Sequence, residues 1–160
     1  MVYFFEIWII VCYDFLTFTY YFTTFRTGTF PLSCSIEVID KDILTVDNDH
    51  MKCLAIKDPG DLPWDELGID VVIESTGIFR YRKDLEKHIS AGAKRVILTV
   101  PPKDKLDATI VLGVNDYILS GSEKIISNAS CTTNCAGVLC KPVQDNFGIK
   151  QGYLITVHAF

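Results

Sequence analysis

The residues with the clearest chemical potential lie in one segment, Ser127 to Cys135, with the sequence SNASCTTNC. A predicted strand ends at Ser127, and the small polar residues after it are good helix caps, so the pattern predicts a helix from about Cys131 toward Phe147. Cys131 would then lie in the first turn, where unpaired N–H groups and the positive end of the helix dipole favour a thiolate. Cys131 is therefore a candidate nucleophile.

A candidate base follows at His158. This residue ends the run Tyr153–Val157, which predicts a strand, and a histidine at a strand end can face the start of a neighbouring helix. A cysteine and a histidine brought together from distant positions form an activated nucleophile. From spacing alone, a buried unreactive cysteine and a surface histidine are the favoured alternative.

A second polar segment follows an apolar run. Residues 74–77, with the sequence ESTG, end a predicted strand of the kind that is buried on both faces of a parallel sheet. Doubly wound sheets bind nucleotides at such strand ends. The alternative is a plain strand-to-helix turn capped by Thr76.

The elements that must position these residues alternate between strands and helices. The helix Tyr81–Ala91 has Leu85, His88 and Ile89 on one face and is closed by Gly92. The predicted strands are Ser35–Ile39, Ile43–Val46, Met51–Ile56, Asp70–Ser75, Arg95–Val100, Ala108–Val114 and Lys124–Ser127. This alternation predicts an α/β fold with a parallel sheet and right-handed crossovers.

Composition narrows the class of protein. The 160 residues are 49% hydrophobic, which suits one folded domain, and the net charge of −5 disfavours a nucleic-acid partner. The six cysteines form no CxxC pair and no zinc-finger pattern, so we expect free thiols in the cytoplasm and no metal site.

The first 24 residues are unusual. Residues 1–30 hold 12 of the 19 aromatic residues of the chain, and this apolar stretch raises the question of a membrane segment. Glu6 and Asp14 interrupt it and no basic residue precedes Arg26, so we expect neither a signal peptide nor a membrane span. The segment is rich in β-forming residues, but its sequence indicates no packing partner.

The chain resembles the glyceraldehyde-3-phosphate dehydrogenase family. The nine residues SNASCTTNC match that family's active-site signature, and the spacing from Cys131 to His158 agrees with its catalytic pair. From about Phe25 onward, the resemblance includes the segments IKDPGDLPWDELGIDVVIESTGIF (56–79), AGAKRVILTVP (91–101), TIVLGVN (109–115) and NFGIKQGYLITVHA (146–159).

The resemblance implies oxidation of an aldehyde through a cysteine thioester. Cys131 would attack glyceraldehyde 3-phosphate, His158 would pair with the thiolate and take the proton, and NAD would accept the hydride. Inorganic phosphate would cleave the thioester, with Ser130 and Thr132 at family positions that help to hold this anion. The residues that match family positions near NAD are Ser75, Thr76, Gly77, Phe79 and Thr99.

The resemblance also implies a domain plan. Residues 1–24 form an atypical aromatic-rich segment, 25–129 a partial NAD-binding domain, and 130–160 the start of a truncated catalytic domain. The expected fold is an incomplete Rossmann-like doubly wound parallel sheet, followed by the first helix and strand of an α+β domain. The family forms homotetramers, which we do not expect this chain to assemble.

Two departures from the family pattern shape the functional expectation. The chain has no GxGxxG phosphate loop, and Val138 stands where the family commonly has a proline, while Pro142 should bend the helix. Because the phosphate loop and most of the family's substrate domain are missing from this sequence, we expect the chain alone to show no NAD-dependent oxidation of glyceraldehyde 3-phosphate. Two alternatives stay open, namely a relationship to erythrose-4-phosphate dehydrogenase, which shares the signature, and a non-catalytic remnant.

Overall fold

The computed structural model describes residues 7–9, 35–40, 42–46 and 49–158. Its two longer helices are α1 (Arg82–Ser90) and α2 (Cys131–Phe147). The strands are β1 (Ile7–Ile9), β2 (Ile36–Asp40), β3 (Ile43–Val46), β4 (Asp49–Lys52), β5 (Val71–Glu74), β6 (Arg95–Leu98), β7 (Ala108–Thr109) and β8 (Ile125–Ser127).

The main sheet has five strands in the order β1-β5-β6-β8-β7, and all of its neighbours are parallel. Glu74 of β5 is in register with Leu98 of β6, and Leu98 with Ser127 of β8. The carboxyl ends of three neighbouring strands therefore lie side by side. This arrangement confirms the predicted α/β class with a parallel, Rossmann-like sheet.

Helix α1 connects β5 to β6 and packs on the sheet. It begins and ends within one residue of the predicted bounds, and Leu85 and His88 face inward with no exposed surface. Burying a leucine of this kind stabilises the fold by about 2 kcal/mol. The hydrophobic core, which includes Leu85 of this helix, consists of Leu62, Trp64, Ile69, Val72, Leu85, Ala93, Val96, Leu98, Leu106 and Ile125.

A small antiparallel sheet, β2-β3-β4, is separate from the main one. Strands β2 and β3 confirm the prediction, but the expected strand Met51–Ile56 is wrong in its bounds, because β4 covers Asp49–Lys52. The cause is pairing, since Lys52 lies opposite Ile43, the first residue of β3, and past this pair one backbone hydrogen bond follows, from the Cys53 N–H to the Asp42 carbonyl at 2.7 Å. Lys41, between β2 and β3, is outside the described residues.

The predicted strand Ala108–Val114 is also shorter in the structure. Strand β7 ends at Thr109, and Val111 begins a turn in which its N–H donates to the Asn115 side chain at 2.7 Å. The Val111 carbonyl accepts the N–H groups of Val114 and Asn115. Asn115 therefore supplies a local alternative to the strand ladder.

The aromatic-rich segment contributes a strand to the main sheet. Ile7–Ile9 pair in parallel with Val71–Ile73 of β5, so part of the segment has a packing partner that the sequence did not indicate. The rest of residues 1–24, with Cys12, lies outside the described residues, and so does Cys34.

Helix α2 follows β8 and has the predicted bounds, with Pro142 in its interior. Gly148 ends it at φ 73°, in the left-handed region. The predicted strand Tyr153–Val157 is wrong, because residues 148–158 form no helix or strand. Tyr153, Ile155 and Val157 are 87–92% exposed, and a strand without a ladder partner leaves its backbone groups unpaired. Within the part of the chain that is described, no helix is long and apolar enough to cross a membrane.

Candidate active site

Three loops meet at the carboxyl edge of the main sheet. They follow β5, β6 and β8, and backbone hydrogen bonds connect them. The N–H of Thr99 donates to the Glu74 carbonyl at 3.1 Å, and the N–H of Asn128 donates to the Leu98 carbonyl at 2.9 Å. Since neighbouring strands are about 5 Å apart, the loops after β5 and β8 begin roughly 10 Å from each other.

Cys131 is the first residue of α2 and is exposed. Ser130 caps the helix, because its hydroxyl oxygen accepts the N–H of Thr133 at 3.0 Å. The Ser130 hydroxyl also lies 3.1 Å from the Thr132 hydroxyl and 2.6 Å from the Thr133 hydroxyl. The thiol thus lies at the positive end of the helix dipole, beside a cluster of hydroxyl groups.

The turn that leads into α2 is tightly held. Ala129 is 4% exposed and has φ 58°, the one positive φ at a non-glycine residue in the described part of the chain. Its N–H donates to the Ser127 hydroxyl at 3.0 Å, and that hydroxyl donates to the Val100 carbonyl at 3.0 Å. Ser127 has no exposed surface, so the junction between β8 and α2 is anchored in the core.

His158 lies in the irregular segment after α2 and is exposed. Among the described residues, no hydrogen bond or ion pair connects His158 with Cys131. The pairing of Cys131 with His158 therefore stays a prediction.

The turn after β5 is built around the Glu74 carboxylate. Its Oε1 accepts the N–H of Thr76 at 2.8 Å and also the Thr76 hydroxyl, whose oxygen in turn accepts the N–H of Ile78 at 3.2 Å. Gly77 has φ 73°, and nothing lies within 4 Å of where its Cβ would be. The other predicted cofactor residues are near: Ser75 and Phe79 are half-buried in the same turn, and Thr99 is exposed at the end of β6.

A buried polar chain supports this turn from below. Trp64 Nε1 donates to His88 Nδ1 at 3.1 Å, and His88 Nε2 lies 3.1 Å from Glu74 Oε2. Because the indole can only donate, Nδ1 must accept, and the proton of a neutral His88 is assigned to Nε2, facing Glu74. Glu74 and His88 both have no exposed surface. These three hydrogen-bonded side chains, Trp64, His88 and Glu74, connect the turn to α1 and to the segment before β5.

Several of these residues have roles that the sequence alone does not show. The sequence pattern predicts His88 on one face of a helix with Leu85, and Glu74 at a strand end, but it does not pair them. A carboxylate at the end of a fully apolar strand needs a buried partner, and this need was the available signal. Asn134, whose side chain contacts the turn before Cys131, gave no comparable signal.

One ion pair ties α1 to the amino end of β8. Arg82 Nη2 lies 2.7 Å from Asp107 Oδ1, while Asp107 Oδ2 accepts the N–H groups of Lys124 and Ile125 at 2.9 Å each. The Arg82 guanidinium and then these backbone donors lower the pKa of Asp107. Among the described residues, no group of histidine, cysteine and acidic side chains could hold a metal ion.

The fold and the site define a class of protein: a parallel α/β domain of the dinucleotide-binding type, joined to a helix that presents a cysteine at the carboxyl edge of the sheet. Two domains of a known protein family match the chain and belong to the same class. The family described as glyceraldehyde 3-phosphate dehydrogenase, NAD binding domain, matches residues 6–82, and the C-terminal domain of the same enzyme matches residues 130–160.

Three curated relatives illustrate the similarity. Glyceraldehyde-3-phosphate dehydrogenase of Streptomyces coelicolor is 51% identical over 121 residues, which are 75% of this chain and 36% of the relative. The enzyme of Mycolicibacterium smegmatis is 48% identical over 134 residues, 83% of this chain and 38% of the relative. A plasmid-encoded form from Cupriavidus necator is 44% identical over 133 residues, 83% of this chain and 39% of the relative.

The chain belongs to the glyceraldehyde-3-phosphate dehydrogenase family. It spans 36–39% of the length of these relatives. The family match begins at residue 6, whereas the resemblance was expected from about Phe25 onward. The similarity therefore extends into the aromatic-rich segment. NAD is the cofactor of the matched domain, as expected, and the names of the relatives favour the triose phosphate enzyme over the erythrose-4-phosphate alternative.

Proposed function

We propose that this chain contributes the nucleophile and part of the NAD site of a phosphorylating glyceraldehyde-3-phosphate dehydrogenase. The observation that supports this most strongly is Cys131 at the first position of α2, exposed, with a serine cap before it, at the carboxyl edge of a parallel sheet. The family match on both sides of this junction supports the same reaction.

The proposed chemistry uses the Cys131 thiolate and the His158 imidazole. Cys131 Sγ adds to the aldehyde carbon of glyceraldehyde 3-phosphate, and the proton that His158 took from the thiol moves to the former carbonyl oxygen, which forms the hemithioacetal. His158 then takes this proton back from the hemithioacetal oxygen. As the carbon–oxygen double bond re-forms, the hydride leaves the same carbon and Cys131 holds a thioester. Inorganic phosphate then attacks the thioester carbon, the carbon–sulfur bond breaks, and the Cys131 thiolate is released with the acyl phosphate.

Ser130 and Thr132 are the proposed contacts for the attacking phosphate. The Ser130 oxygen already accepts the N–H of Thr133, so only its own hydrogen is available to an anion. The Thr132 hydroxyl is half-buried and lies beside it. Hydroxyl groups at a helix start hold an anion without adding a base that would compete with His158.

The turn after β5 and the end of β6 are the proposed NAD contacts on this chain, through Ser75, Thr76, Gly77, Phe79 and Thr99. The fit rests on the open surface at Gly77 and on the position of both loops at the sheet edge where doubly wound domains hold dinucleotides. Bound NAD supplies the nicotinamide ring that accepts the hydride. The buried Glu74 carboxylate fixes the backbone of this turn.

The proposed domain plan keeps the boundary at residue 130, where the capped helix begins. Residues 25–129 with β1 belong to the NAD-binding part and residues 130–160 to the catalytic part. Glyceraldehyde 3-phosphate and inorganic phosphate are the proposed substrates, a homotetramer is the proposed assembly of the whole enzyme, and the cytoplasm is the proposed compartment.

Thiol labelling tests the nucleophile. Cys131 and Cys140 are both exposed on α2, but only Cys131 lies in the first turn. We expect iodoacetamide to alkylate Cys131 about fivefold faster than Cys140, because the helix start favours the thiolate. The fast phase should disappear in Cys131→Ser and persist in Cys140→Ser. Equal rates at the two thiols would contradict the proposal.

A chimera tests the activity. Residues 71–158 of this chain replace the matching residues of the Streptomyces coelicolor relative, and NADH formation is followed with glyceraldehyde 3-phosphate, NAD and phosphate. We expect activity that Cys131→Ser abolishes, that His158→Ala lowers by about 10²-fold or more, and that the matched variant Cys140→Ser retains. A folded chimera that binds NAD but forms no NADH would refute the proposed function.

A further inference from the structure

We propose that Asn134 is a positioning residue for Cys131, acting through the turn that precedes α2. This assignment rests on the proposed function, since it gives Asn134 a role in presenting the nucleophile. The Asn134 side chain lies one turn into the helix, half-buried, and points back toward the end of β8.

The Asn134 side-chain amide makes two hydrogen bonds, and its NH2 group donates both of them. Nδ2 donates to the Asn128 carbonyl at 2.7 Å and to the Ser130 carbonyl at 2.9 Å. The Ser130 carbonyl also accepts the backbone N–H of Asn134 at 2.9 Å, which uses its second lone pair. One amide group therefore bridges the carbonyls on both sides of Ala129.

Ala129 needs such a bridge. Its φ of 58° is a conformation that residues with a Cβ rarely adopt, and it turns the chain from β8 into α2. The Asn128 N–H holds one end of the turn on β6, and the Ser127 hydroxyl holds the Ala129 N–H. The Asn134 amide closes the other side, so the position of Cys131 relative to the sheet edge depends on it.

The test compares the labelling rates of Cys131 and Cys140 in matched variants. Asn134→Leu keeps the size of the side chain and removes both donors. We expect the ratio of the two rates to fall by about threefold to fivefold, from about five to between one and two, which is the effect of about one hydrogen bond, with the rate at Cys140 unchanged. Far-UV circular dichroism checks that the helix content is retained, because a merely unfolded α2 would lose it.

Asn146→Leu is the matched control. Asn146 lies on the same helix, and its Nδ2 donates to the Pro142 carbonyl at 2.7 Å, far along the helix from the Ala129 turn. This variant loses a hydrogen bond of the same kind, and we expect the rate ratio to change by less than about twofold.

A second-site variant tests the role of Ala129. Glycine adopts positive φ at no steric cost, so Ala129→Gly removes much of the need for the bridge. We expect Asn134→Leu to reduce the rate ratio by no more than about 1.5-fold in the Ala129→Gly background, which is a partial rescue that a purely structural loss would not show.

The outcomes separate the two proposals. If Cys131 is not labelled faster than Cys140 in the unchanged chain, the proposed function fails, and the positioning role fails with it. If the unchanged chain shows the fast Cys131 but Asn134→Leu keeps the rate ratio, or if the loss is the same in both Ala129 backgrounds, the positioning role is refuted and the proposed function stands.

Discussion

The residues from 54 to 129 and those from 130 to 158 form secondary structure for different reasons. In the first region, Val72, Leu85 and Val96 have no exposed surface, and the strands pair in a parallel sheet. In the second region, none of the 17 residues of α2 is buried, and the segment after it forms no helix or strand. Packing fixes the first region, whereas caps and short-range hydrogen bonds fix α2.

The candidate active site lies where these regions meet. Its cofactor side rests on the core through Glu74 and His88. Its nucleophile side depends on Ser130, Asn134 and the strained Ala129. We therefore expect core variants to alter the stability of the whole sheet, and variants around Cys131 to alter reactivity with little effect on the free energy of unfolding.

The largest expected effect is the loss of stability on replacing His88, with His158 as the matched control. His88→Leu leaves Glu74 Oε2 and the Trp64 indole N–H without their buried partner, and we expect it to reduce the free energy of unfolding by about 4 kcal/mol. His158→Leu should leave the stability unchanged, because His158 is exposed. Urea unfolding followed by tryptophan fluorescence measures both.

A partial recovery should accompany the loss at His88. In the double variant Glu74→Gln/His88→Leu an amide replaces the buried carboxyl group, so this variant should be more stable than His88→Leu alone. If His88→Leu unfolds at the same urea concentration as the parent chain, the buried Trp64–His88–Glu74 chain does not stabilise the fold and the contrast between the regions is lost.

The glycines after the two helices should differ by a smaller amount. A Cβ on Gly92 would lie 2.5 Å from Asp65 Cβ and 2.6 Å from Asp65 N, and its φ is 109°. We expect Gly92→Ala to reduce the free energy of unfolding by about 3 kcal/mol, from backbone strain and overpacking together.

Gly148 is the matched position on α2, with φ 73° and nothing within 4 Å of a Cβ. Gly148→Ala should cost about 2 kcal/mol, from backbone strain alone, because φ 73° with ψ 141° is a conformation that few residues other than glycine adopt. Thermal unfolding followed by circular dichroism measures both variants. Equal losses at the two glycines would show that Asp65 does not press on Gly92 in solution.

The smallest expected effect concerns pH and Asp107. The pKa of Asp107 is lower in the folded chain, so its contribution is present above the unfolded value of about 4 and is lost as the pH falls through the folded value. Asp107→Asn should reduce the free energy of unfolding by about 1 kcal/mol near neutral pH, after allowance for solvent screening, and by less in acid.

Asp145 provides the control for this prediction. Its carboxylate lies 2.9 Å from Lys141 on the solvent-facing helix α2, and Asp145→Asn should not measurably change the stability. Urea unfolding of both variants at neutral and acidic pH measures the difference. A loss at Asp107 that stays constant down to the lowest pH would show that its charge is not responsible.

Much of the sheet could be predicted from the sequence, because short apolar runs bounded by turns mark buried parallel strands. Strand ends were less predictable. Lys52 ends β4 because its partner strand ends, and Asn115 ends β7 by taking a backbone N–H. The apolar pattern alone shows neither cause, since the first depends on where the partner strand ends and the second on a hydrogen bond from a polar side chain four residues further along.

The sequence by itself determined the start and end of α2 and the place of Cys131 in its first turn, because the cap Ser130 and the terminating Gly148 act over a few residues. Only the tertiary structure decided that Glu74 meets His88 and Trp64, and that Leu98 lies between Glu74 and Ser127. It also decided that Tyr153–Val157 is not a strand. These features require partners from distant positions, which the crossovers of the parallel sheet bring together or fail to supply.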